Sequence, residues 1–85
     1  TYAKGPMIHY YLSESLDIEI RFYDIRGNEI YRDFYPENGN GGAARDNYVA
    51  LEFDKWGSDI PSSSYFFLIM NDGNVLGKGK FVVMP

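Results

Sequence analysis

The chain has 85 residues, enough for one small domain whose core is only modestly stabilising. A formal net charge of −4 argues against a nucleic-acid binder or a polybasic membrane surface, and no apolar run approaches the ~20 residues of a membrane helix. The absence of cysteine excludes disulfide staples and thiolate metal sites, while an aromatic content of 18% favours pleated, half-buried surfaces.

Thr1 to Gly5 reads as a linker, punctuated by Gly5-Pro6, and residues 6–85 as the folded module. A start at Thr1-Tyr2, without Met, is what an excised or processed segment of something longer is expected to show. Met7 to Leu12 alternates, with Ile8, Tyr10 and Leu12 on one face and Met7, His9 and Tyr11 on the other, as in an edge strand. After the polar turn Ser13-Glu14-Ser15, Leu16 to Tyr23 is the clearest amphipathic strand. Leu16, Ile18, Ile20 and Phe22 face the core, and Asp17, Glu19, Arg21 and Tyr23 face water. Asp24-Ile25-Arg26-Gly27-Asn28 makes a tight connection, with Gly27 free to take a positive φ. Glu29 to Tyr35 returns as the hairpin partner, placing Ile30 and Phe34 inward.

Pro36 to Asp46 contains Asn38-Gly39-Asn40-Gly41-Gly42 and is expected to be an exposed, mobile loop. Asn47 to Phe53 alternates again, with Val49, Leu51 and Phe53 inward and Tyr48, Ala50 and Glu52 outward. Asp54 to Pro61 is a polar loop carrying the lone tryptophan, Trp56. Tyr65 to Met70, entered from Ser62-Ser63-Ser64 and ended by Asn71-Asp72-Gly73-Asn74, is an unbroken apolar run between turn signals. Such a run predicts the central strand, covered on both faces. Val75 to Met84, split by Gly77 and Gly79, is the last strand. Nothing in the chain has a helical period. About six or seven short strands with regular turns predict an all-β fold, a small antiparallel sandwich.

The order of these features resembles the immunoglobulin-like domain of the flagellar hook-capping protein FlgD. It is similar also to the related C-terminal modules of secreted bacterial proteins, among them the type A sorting domains of the type IX secretion system. Ile8, Tyr10 and Leu12 match the opening strand; Ile18, Ile20 and Phe22, then Asp24 and Gly27, match the alternating strand ending in Asp-x-x-Gly. Phe53-Asp54-Lys55 stands where the family has Trp-Asp-Gly. Ile60, Ser62, Ser63, Tyr65 and Phe67 take the places of V-x-S-G-x-Y-x-Y, and Lys80, Phe81, Val82 and Val83 those of the closing strand. Phe53, Lys55 and Ser63 depart from the family's Trp, Gly and Gly. The resemblance implies an immunoglobulin-like sandwich serving a secreted or cell-surface protein in assembly, anchoring or export, through contacts with protein partners and without a catalytic site.

Catalytic candidates are thin. His9 is the single histidine, without a cysteine or second histidine to share a metal or a proton relay, and reads as an ordinary surface residue. Ser62-Ser63-Ser64 lacks the glycines of a nucleophile elbow. Glu14, Asp17 and Glu19 would need a cleft to act as acid and base; otherwise they form a solvated face. Gly77-Lys78-Gly79-Lys80 lacks the phosphate-loop pattern. No cofactor is expected, with one alternative: Asp54, Asp59 and Asp72, with Asn71 and Asn74, could gather oxygen ligands for calcium, though they also have ordinary turn roles.

The outward aromatics are the better candidates for contact: Tyr11, Tyr23, Tyr31, Tyr35, Tyr48 and Trp56. Exposed rings anchor protein interfaces, or stack on sugars in a polysaccharide-binding module attached to a degrading enzyme, or simply cover a face with their hydroxyls in water. The edge of Val75 to Met84 offers backbone groups to a neighbour, with Lys78 and Lys80 placed to discourage careless pairing.

Overall fold

The computed structural model describes residues 7–51 and 61–83. Those residues form six strands and no helix: β1 (Met7–Tyr11), β2 (Ile18–Tyr23), β3 (Glu29–Tyr35), β4 (Asp46–Ala50), β5 (Ser63–Asn71) and β6 (Asn74–Val83). All pairings are antiparallel. A two-stranded sheet joins β1 to β4, and a four-stranded sheet runs in the order β3-β2-β5-β6.

Alternation on β2 decides which side is the core. Ile18, Ile20 and Phe22 are buried, and they share one cluster with Tyr65 and Ile69 of β5, Val83 of β6, and Ile8, Leu12, Val49 and Leu51 from the smaller sheet. Both sheets therefore contribute inward residues to a single apolar core, each fully buried aliphatic side chain supplying roughly 1.5–3 kcal/mol. Around Phe22, the rings of Tyr31, Phe67 and Phe81 have centroids 6.4, 6.5 and 6.3 Å away. Phe67 lies over Gly79, its cross-strand partner: a Cβ there would sit 2.3 Å from the ring's Cζ. Glycine at 79 is what admits the ring.

Three expectations need correction. On β3, Ile30 packs against the core as expected, but Phe34 does not face it. A bulge at Phe22/Tyr23 leaves Ile30 without a register partner, so Tyr31, Asp33 and Tyr35 fall opposite Phe22, Ile20 and Ile18. Phe34 is turned outward and is 65% exposed, while Ile30 still packs against the core from the bulge. On β5, the strand is central within its sheet but is not covered on both faces. Tyr65 and Ile69 are buried on the inner face; on the opposite side Met70 is buried beside Glu19 but Phe66 is 41% exposed, the second sheet lying on the inner face alone among the described residues.

The third concerns residues 36–46: the segment is largely exposed, as expected, but its glycine-rich middle packs inward and is tied by hydrogen bonds. Gly41, Gly42 and Ala43 are buried. Gly42 N–H donates to Gly39 O, and Gly42 O accepts from Leu16 and Asn38. Asn47, 0% exposed, is the hub: its Oδ1 accepts from Gly41 N–H at 3.0 Å and its Nδ2 donates to Ala43 O and Arg45 O. The glycines serve close approach, since a Cβ on Gly42 would stand 2.3 Å from Pro36 O and 2.6 Å from Leu16 O. The predicted strand from Asn47 ends at Ala50, with Leu51 buried just beyond; Glu52 and Phe53 lie outside the described residues, as does the Asp54 to Ile60 part of the following loop.

Two substitutions test this packing. Asn47→Ala orphans the buried Gly41 N–H and is expected to lower unfolding free energy by about 1–3 kcal/mol in urea titration. Gly42→Ala, colliding with two backbone oxygens, is expected to cost about 2 kcal/mol or more, whereas Asn40→Ala at an exposed position stays within about 1 kcal/mol. Equal midpoints for all three variants would mean that this segment is not packed as described.

Candidate functional site

The two sheets each turn one face away from the shared core, and the exposed aromatic and apolar residues gather there. On the smaller sheet, register pairs His9 with Tyr48 and Tyr11 with Asp46, so Met7, His9 and Tyr11 stand beside Tyr48 on the outer side. Tyr11 is 67% and Tyr48 53% exposed. The His9 ring stacks on Tyr48 with centroids 4.5 Å apart and planes 6° from parallel, and its Nε2 lies 2.9 Å from Asp46 Oδ1. Tyr48 thus lies flat against the His9 ring.

The outer face of the larger sheet is organised in rows across the strands. Phe34, Glu19, Met70 and Val75 make one row; Arg32, Arg21, Leu68 and Lys78 the next; Glu29, Tyr23, Phe66 and Lys80 a third. Its middle column on β5 is apolar. Charges flank that column and are largely paired on the β3 side. Arg21 Nε donates to Glu19, and Arg32 grips Glu29 through two bonds of 2.9 and 3.0 Å. The Arg32 guanidinium holds the Glu29 carboxyl below the usual carboxylate range. Arg21 and Arg32 face each other directly, and the carboxylates offset that repulsion.

The six predicted contact aromatics are therefore divided. Tyr11 and Tyr48 come together on the small sheet's outer face, and Tyr23 lies on the outer face of the large sheet beside Phe66. Tyr31 and Tyr35 are corrected: both turn to the core side, opposite Phe22 and Ile18, and are half-buried. The β3 bulge is the cause, because it shifts the parity of every later residue. Trp56 lies outside the described residues. Sequence reasoning missed Phe34, Phe66 and Val82 as outward residues; the unbroken apolar run of β5 hid that Phe66 faces away from the core beside the buried Tyr65.

The chemistry-bearing candidates have other occupations. Asp17 Oδ1 accepts from Glu37 N–H, Glu19 is held by Arg21, and Glu14 is exposed. A concavity of about 200 Å³ between β2 and the β5–β6 turn is lined by Asp17, Glu19, Arg21, Met70, Asp72 and Gly73. That is below the roughly 300–1,000 Å³ that ligand pockets fill. Of the calcium candidates, Asn71 donates to Asp17 O and Asp72 takes φ +48° in the hairpin turn. Asp54 and Asp59 lie outside the described residues.

One tyrosine hydroxyl is held at the junction of the sheets. Tyr10 donates to Gly41 O at 2.7 Å, and burial first, then the Asp33 carboxylate, push its pKa from 10.0 to about 12. Asp33 in turn accepts from the Tyr35 hydroxyl at 2.7 Å. Comparison with protein-family models, with curated proteins and with solved structures gave no match.

The Tyr10 environment predicts an alkaline response. Folding favours the neutral phenol, so its contribution is complete below pH 10.0 and is lost as pH rises through about 12. Tyr10→Phe should flatten the fall in stability over that window in denaturation curves. An unchanged slope would contradict the buried, hydrogen-bonded hydroxyl.

Proposed function

We propose that this chain is a non-catalytic, immunoglobulin-like accessory module of a larger secreted or cell-surface protein, serving assembly, anchoring or export through protein–protein contacts. The partners are domains of the same parent chain, neighbouring subunits or the secretion machinery. The observation that carries the reading is the pair of outer faces, where Met7, Tyr11, Phe34, Tyr48, Phe66 and Val82 are exposed while the inner faces close one core. Aromatic residues fixed on rigid strands lose little entropy on docking and make effective anchors. The resemblance in the order of sequence features, among them the Asp24-x-x-Gly27 turn, supports the same class.

A second reading, a polysaccharide-binding module, draws on the flat Tyr48 platform, pre-ordered by His9 and neighboured diagonally by Tyr11. The two readings separate cleanly. A Tyr11→Ser/Tyr48→Ser variant is expected to keep its stability within about 0.5 kcal/mol per exposed site. Carried in its parent protein, it should release that protein from its assembly or surface attachment, while mobility in glycan-containing gels stays as for the unaltered chain. Normal attachment and export of the parent carrying this variant would contradict the protein-contact reading; a gel shift abolished by the same variant would establish glycan binding instead.

A further inference from the structure

The edge of β6, unpaired among the described residues, offers a more specific contact, which rests on the reading of the chain as a protein-contact module. β6 is the longest strand, spanning ten residues, and closes one end of the β3-β2-β5-β6 order. From Gly77 to Val83 its ladder with β5 runs without a register shift. Alternate residues along a regular antiparallel edge point both N–H and C=O away from the sheet, a ready template for one more strand. Gly77 puts no side chain on the inner side of that edge, and at Gly79 the space is taken by the Phe67 ring of its own sheet.

Charge selects the occupant. Lys78 and Lys80 stand on the outer side, exposed, and neither makes an ion pair among the described residues, whereas Arg21 and Arg32 are both held by carboxylates. A second copy pairing antiparallel about Gly79 would set lysines against lysines. Like charges opposed across strands are destabilising and opposite ones stabilising. Beside the lysines, Phe66, Leu68 and Val82 give apolar area for flanking side chains. We infer that β6 takes up an extended acidic segment of a partner protein as an added antiparallel strand, with carboxylates at alternate positions opposite Lys78 and Lys80.

The test uses two blocked synthetic peptides, Thr-Val-Glu-Val-Glu-Val-Thr and the same sequence with Lys for Glu, titrated into the ¹⁵N-labelled chain at low salt. The acidic peptide is expected to shift and protect amides within residues 77–83 and to bind roughly tenfold tighter than the basic one. A Lys78→Glu/Lys80→Glu variant, altered only at exposed positions, should reverse that preference. Three results would each overturn the inference: edge amides already protected in the free chain, dimerisation through β6 in sedimentation, or charge-dependent binding that leaves those amides unprotected. Since Tyr11 and Tyr48 lie on the other sheet, loss of parent attachment in their variant stands whether or not the peptides bind.

Discussion

The antiparallel register between β2 and β5 is the constraint on which the molecule depends. It sets Ile20 against Ile69 and Phe22 against Phe67, joining two segments far apart in sequence. Because side chains alternate with a period of two, a slip of one residue would carry Phe67 and Ile69 to the water side and bring Phe66 and Leu68 in. The observed register buries Ile20 completely and gathers Tyr31, Phe67 and Phe81 around Phe22. Gly79 completes it, giving the Phe67 ring the space that any side chain would take.

From that pairing follow the two surfaces. With one face committed to the core, Glu19, Arg21, Tyr23, Phe66 and Leu68 share the other, and paired charges of β2 and β3 flank one side of an apolar column. The small sheet is fastened by polar contacts as much as by apolar ones. Tyr10 reaches Gly41 O, Leu12 N–H reaches Arg45 O, and Asn47 holds the chain from Gly41 to Arg45. Such a satisfied network inside a small domain specifies one geometry, and that rigidity presents Tyr11 and Tyr48 as a fixed surface.

Much of the fold was legible because β1 and β2 alternate cleanly and the turn residues are unambiguous. Asp24 bears this out: its Oδ1 accepts from Arg26 and Asn28 N–H, which draws its carboxyl below the ordinary range, while Gly27 takes φ +88°. Bulges were not legible. One unpaired residue at Ile30 reverses the facing of Phe34, and the composition of β3 carries no mark of it. Glycines are ambiguous for a related reason: Gly41 and Gly42 look like a flexible loop but are demanded by close packing, which depends on where Tyr35, Pro36 and Leu16 come to rest. The facing of the candidate aromatics was half legible, since tyrosine suits either side of a sheet and only register decides between them.

The most direct test of this account is a map of interstrand backbone nuclear Overhauser effects between residues 19–23 and 66–70. The account predicts cross-peaks that tie Ile20 to Ile69 and Phe22 to Phe67. Cross-peaks displaced by one residue, tying Ile20 to Leu68 or Met70, would exchange the inner and outer faces and contradict it.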